Sequence, residues 1–234
     1  MTDNIDYKNI GNRKFIIELR YDYKVLFLDK RGQIVEAIRS LNVFSKFHWN
    51  IGQGDVIIKD DIDDKEVKNS FRISINQINF ISYQIDSVES YYNKFEKIYN
   101  KIREILGDLE IFRIGCRIIG SYYTKSGDFN TIIKNMKDCF PKNFLLEKYP
   151  SKDMNFSLVY ENGMYNIGPL SDTDIFYARE FDIKTCKKHI GIAIDTDNYI
   201  QKNGNNINDK SLIKDVYTLS LSVEKDLYSN LKDF

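Results

Sequence analysis

Residues 86–120 read DSVESYYNKFEKIYNKIREILGDLEIFRIGCRIIG, a pattern that predicts one long helix, a tight stop and one buried strand. Val88, Tyr91, Tyr92, Phe95, Ile98, Tyr99, Ile102, Ile105 and Leu106 recur three and four apart, which lays an apolar stripe along one side of a helix. Glu89, Lys94, Lys97, Lys101 and Glu104 take the opposite side. Asp86 or Ser87 can accept the free N–H groups of the first turn, with Glu89 placed as in a capping box, and Gly107 suits the left-handed backbone that ends many helices. Such a helix runs roughly 30 Å, the width of a small domain. In Ile111–Ile119 the side chains alternate: Phe112, Ile114, Cys116 and Ile118 point to one face, Arg113, Gly115 and Arg117 to the other. One apolar and one wet face suits an antiparallel sheet with helices packed on one side, rather than the solidly apolar strands of a doubly wound parallel sheet.

The same two periods extend outward from this stretch. Residues 1–13 are polar and are expected to form a flexible N-terminus. Lys14–Tyr21 alternates as a strand, with Phe15, Ile17, Leu19 and Tyr21 facing one way and Lys14, Ile16, Glu18 and Arg20 the other. A shorter helix over 30–43 and strands near 44–49, 56–59, 71–75 and 79–85 complete the first half. In the second half a helix over 129–139 stops at Pro141, and strands are expected at 144–148, 156–160, 164–167, 175–183 and 189–194. The Glu161-Asn162-Gly163 turn marks a hairpin. A closing helix carries Ile213, Val216, Tyr217, Ser220, Val223, Leu227 and Leu231.

Both halves run strand, short helix, antiparallel strands, long helix, and ISYQIDS at 81–87 is echoed by IGIAIDT at 190–196. The expected fold is therefore α+β: a curved antiparallel sheet with two long helices on one face. It would be built from two pseudo-duplicated units, 14–107 and 110–234, packed as one globular unit about an approximate two-fold axis. The order resembles the repeated fold of the TATA-box-binding protein. No DNA-reading motif accompanies it, so the likeness concerns architecture alone. A helix-grip fold, the competitor, needs only one long helix.

IDSVESYYNKFEKIYNKIREI at 85–105, FRIGCRIIGSYY at 112–123, AIDTDNY at 193–199 and the closing amphipathic helix also resemble a sporadically distributed bacterial family of uncharacterised proteins. There an aromatic-containing helix precedes a strand of the form RIGLRYIN, and an acidic strand end precedes the last helix. This chain departs at Cys116, Ile118 and Gly120. The resemblance implies a shared fold and brings no catalytic residue; the family's scattered occurrence implies an accessory role, such as defence against phage.

Composition narrows the function classes. Of 234 residues, 42% are hydrophobic and 14% aromatic, and Lys plus Arg balance Asp plus Glu at 34 each. No overall field draws the chain to nucleic acid or to an anionic membrane. Cys116, Cys139 and Cys186 read as reduced thiols, MTDNIDYKNIGNRK lacks the regions of a signal peptide, and no run approaches a membrane span. The expected location is the cytoplasm.

Several groupings could carry chemistry, each with a plainer account. Asp60, Asp61, Asp63 and Asp64 could bind a hard cation but lack an EF-hand's glycine and terminal glutamate, and they read as a solvated loop. Gly120-Ser121 with Gly127-Asp128 is similar to a nucleotidyltransferase phosphate loop, yet Asn130 stands where the second acid belongs. The pairs Asp195/Asp197 and Asp172/Asp174 could offer two oxygens to a divalent cation, or terminate strands and bind backbone amides. His48 and His189 lack metal-ligand spacing, and a Cys186–His189 nucleophile pair needs a geometry that spacing does not supply. No cofactor is implied.

Glu18 and Arg20, with Arg113 and Arg117 on the equivalent strand, form the most useful polar set. If the strands neighbour one another, these side chains share one surface, able to bind a small anionic ligand or a partner's acidic segment. The alternative is an internal salt-bridge ladder. The leading expectation is a noncatalytic binding module with an open sheet face; the second is a metal-dependent enzyme acting on nucleotides or nucleic acid through Asp128 or the Asp195/Asp197 pair.

Overall fold

The computed structural model describes residues 5–60, 69–83, 87–139, 153–182, 184–201 and 210–234. Its elements are β1 (Ile10–Tyr21), α1 (Leu26–Arg39), β2 (His48–Ile51), β3 (Asp55–Lys59), β4 (Asn69–Ser74), β5 (Gln77–Ser82) and α2 (Val88–Leu106) in the first half. The second half holds β6 (Ile111–Tyr122), α3 (Phe129–Asp138), β7 (Phe156–Tyr160), β8 (Gly163–Leu170), α4 (Ile175–Glu180), β9 (Gly191–Gln201) and α5 (Lys210–Leu231). The strands form one open, curved sheet in the order β2-β3-β4-β5-β1-β6-β9-β8-β7, and every neighbouring pair is antiparallel.

The two central strands are β1 and β6, paired over almost their whole length from Ile10↔Tyr122 to Tyr21↔Ile111. Outward from them the order is β5-β4-β3-β2 on one side and β9-β8-β7 on the other. The fold class is thus the α+β antiparallel sheet that the alternating strands and amphipathic helices dictate.

Period two puts Phe15, Ile17, Leu19 and Tyr21 of β1 on the same face as Ile114, Cys116 and Ile118 of β6, and all are buried. The stripe of α2 closes over them with Phe95, Ile98 and Ile102 fully buried, while α5 adds Ile213, Val216 and Tyr217 to the same core. Tyr217 stacks on Tyr92 at 4.2 Å between ring centres and meets Phe15 edge-on at 6.3 Å, so the two long helices touch each other as well as the sheet. Each large side chain so buried contributes about 1.5–3 kcal/mol. Ser87 caps α2, accepting from Ser90 N at 3.3 Å, and Gly107 stops it at φ +75°. The alternative cap, Asp86, lies outside the described residues.

Three expectations change. The first strand begins at Ile10, so Ile10–Arg13 belong to the sheet, and Asn12 and Arg13 are buried. Within the strand expected at 175–183, Ile175–Glu180 instead forms α4: Asp174 accepts from Phe176 N at 2.8 Å, and Tyr177 and Phe181 pack with Ile119 and Leu170, while Ile183 lies outside the described residues. A cap and a local apolar patch outweigh the alternating pattern there. The last strand runs on to Gln201, which places Asp195 and Asp197 inside it. The strand expected at 144–148 and the stop at Pro141 lie outside the described residues. No described helix is long and apolar enough to cross a membrane.

Candidate functional site

With α1, α2, α3 and α5 on one face, the other face of the sheet is covered by α4 and the segment after it, over Ile16, Ile119 and Ala193. Beyond that cover the face is charged. The β1–β6 register sets Arg20 opposite Arg113 and Glu18 opposite Gly115, so the four residues singled out from the sequence share one surface. The β6–β9 register adds Asp197 opposite Arg117 and Asp195 opposite Ile119.

Two clusters result. Glu18 accepts from Arg20 Nε at 2.7 Å, from Arg113 Nη1 at 2.9 Å and from Gln77 Nε2 at 2.5 Å. The Arg113 guanidinium also lies 5.2 Å from the centre of the Tyr199 ring. Arg117 donates from Nε and Nη2 to the two oxygens of Asp195, each at 2.8 Å, a bidentate fork. That bond runs diagonally to the register pair. The hydrogen bond and charge of Asp195 raise the Arg117 pKa further above its ordinary value. Asp197 lies half-buried near Arg117 and Arg113; burial raises its carboxyl above the ordinary range, against the pull of both arginines. Glu18, Arg20, Arg113, Gly115, Arg117, Asp197 and Ile16 border a hollow of about 230 Å³.

The other candidate groups are accounted for by local structure. Asp195 uses both oxygens on Arg117, so the Asp195/Asp197 pair is not a free ligand set, and no group of three metal-ligating side chains occurs among the described residues. Asp174 caps α4, and Asp128 caps α3 by accepting from Thr131 N and Oγ1. Those bonds lower the Asp128 pKa. Ser121 is buried rather than presented in a loop: its Oγ accepts from Asn12 N and Nδ2 and lies 3.0 Å from His189 Nε2. Ser121 is thus not presented in a phosphate-binding loop, and Asp128 serves as a helix cap. His189 has both ring nitrogens engaged, Nδ1 with Ile190 O, and stacks on Tyr123, which leaves no nitrogen for Cys186. Asp60, expected in a solvated loop, is buried and accepts from Ser45 and Asn69. Asp61, Asp63 and Asp64 lie outside the described residues. His48 is a half-buried residue of β2.

Sequence reasoning missed the Asp195 fork, Gln77 and the buried Arg13–Glu224 pair, in which Arg13 Nε donates to Glu224 Oε1 at 2.7 Å and Tyr122 donates to the same carboxylate. The polar alternation of β9 past Ile194 was the available signal for Asp195; nothing local in Arg13 or Glu224 announces the other. Comparison with models of known protein families and with curated proteins finds no match to this chain. Its chemistry is read from the geometry.

Proposed function

We propose that the protein is a noncatalytic binding module whose open sheet face engages an acidic segment of a protein partner through Arg20, Arg113 and Arg117. The observation that supports this is the way the three guanidiniums are held. Each donates part of its fork to Glu18 or Asp195, and the remaining N–H groups make no further hydrogen bond among the described residues. Arginines already ordered by internal carboxylates lose little freedom on meeting another carboxylate. Arg20 is half exposed and Arg117 about a third exposed, within reach of a partner. The hollow of about 230 Å³ falls below the roughly 300–1,000 Å³ of small-molecule sites, which favours a partner's side chains over a whole ligand. On the resemblance to a scattered bacterial family, we place the module in the cytoplasm and in an accessory system such as phage defence.

A peptide of consecutive glutamates, titrated at low salt, tests the reading against a purely structural ladder. Binding that weakens with salt, and that falls by about tenfold or more in Arg20→Ala/Arg113→Gln while the melting temperature holds, is the expected result. No binding by the natural chain, with a collapse of melting temperature in the variant, would make the arginines structural.

A further inference from the structure

A second hollow, of about 490 Å³, lies where α4 leans over β8 and β9. Its volume is inside the range of small-molecule sites. Arg117, Asp195 and Asn166 line it from the sheet, Phe176, Arg179 and Glu180 from α4. Pro169, Leu170 and Ile175 supply apolar lining. Arg117 is shared with the charged face described above and stands on the boundary between the two hollows.

The hydrogen-bonding inventory of this hollow is lopsided. Its four carboxylates are already served: Asp195 by the Arg117 fork, Glu180 by Arg179 Nε at 2.8 Å and Lys14 Nζ at 3.5 Å, Asp174 by the first turn of α4, and Asp153 by Met154 N at 2.8 Å. The donors are not exhausted. Arg179 engages only its Nε, Arg117 keeps Nη1, and the Asn155 amide, also on the lining, makes no hydrogen bond among the described residues. The Arg179 guanidinium lies 5.9 Å from the centre of the Phe176 ring, which sets a cation beside an apolar surface. Surplus donors beside an aromatic ring call for a ligand with clustered acceptors and an apolar body.

We propose that this hollow binds a compact organic anion, a carboxylate or phosphate ester carrying an apolar group about the size of one ring. Arg179 and Arg117 take the anionic head, Asn155 adds a neutral donor, and Phe176, Pro169 and Leu170 receive the apolar body. The site shares Arg117 with the partner-binding face, while Arg179, Asn155 and Phe176 belong to it alone.

Calorimetric titration of the full chain with benzoate and with phenyl phosphate tests the proposal, with phenol and inorganic phosphate as controls. One of the two organic anions should bind with Kd below ~1 mM and more tightly than either control; which of them binds better identifies the head group. Arg179 is 67% exposed, so Arg179→Ala should leave the melting temperature in place and weaken binding by about tenfold or more. Asn155→Ala should weaken it less, and Arg20→Ala should leave it unchanged. The proposal is overturned if neither anion binds below ~1 mM, if phenol binds as tightly, or if Arg179→Ala is without effect. Binding lost in Arg20→Ala but kept in Arg179→Ala would move the anion to the open face and equally remove this site.

Discussion

Asp197 shows how much a single position on the open face depends on its surroundings. Its period-two relation to Asp195 was legible in IDTDNY, yet the two carboxylates have different fates: one is locked in an arginine fork, the other half-buried with its carboxyl pushed upward mainly by burial. The folded chain holds the Asp197 proton more tightly than the unfolded chain, where the carboxyl sits near 3.8. This group's contribution to stability is therefore full below the unfolded value and is lost as the pH rises through the higher folded one. Asp197→Asn should remove that loss. In urea unfolding at successive pH values from 3 upward, the variant should gain on the natural chain as the pH rises; a difference that moves the other way would mean that the arginines outweigh burial.

At the scale of elements, α4 and α5 show two different limits of local pattern. IFYAREF alternates well enough to read as a strand, but it is only one helical turn and a half long, and its Asp174 cap and the patch at Ile119 and Leu170 settle its shape. The closing helix α5 was evident from its stripe, whereas its attachment to β1 was not. Arg13 and Glu224 are each 1% exposed, and their ion pair, with Tyr122 donating to the same carboxylate, ties α5 to both central strands. Removing one member of such a pair leaves a buried charge without its counterion. Glu224→Ala should cost about 3–5 kcal/mol in urea unfolding, and Arg13→Met/Glu224→Leu should recover much of that loss. A cost below about 1 kcal/mol for the single change would show that Arg13 is satisfied by its other contacts.

Across the whole molecule, four strands run outward from β1 and three from β6, and the core does not divide between the two halves of the chain. Phe15, Tyr92 and Phe95 from the first half share one apolar cluster with Ile114, Val216 and Tyr217 from the second. Residues 1–107 expressed alone would lose α5 and would expose the β1 edge that pairs with β6. That fragment should show no cooperative unfolding transition by circular dichroism, and a sharp transition would mean that the first unit is self-sufficient. The sequence by itself determined the class of fold, the long helices, the central strands and the polar side of Glu18, Arg20, Arg113 and Arg117, because those follow from periods of 3.6 and 2 read within a few turns or residues. Only the tertiary structure decided the pairing of Arg117 with Asp195, the burial of Ser121, His189 and Asp60, and the hollow under α4. Those depend on strand register and on contacts between residues far apart in the chain, where the free energy of burial and of satisfying polar groups acts and local pattern carries no information.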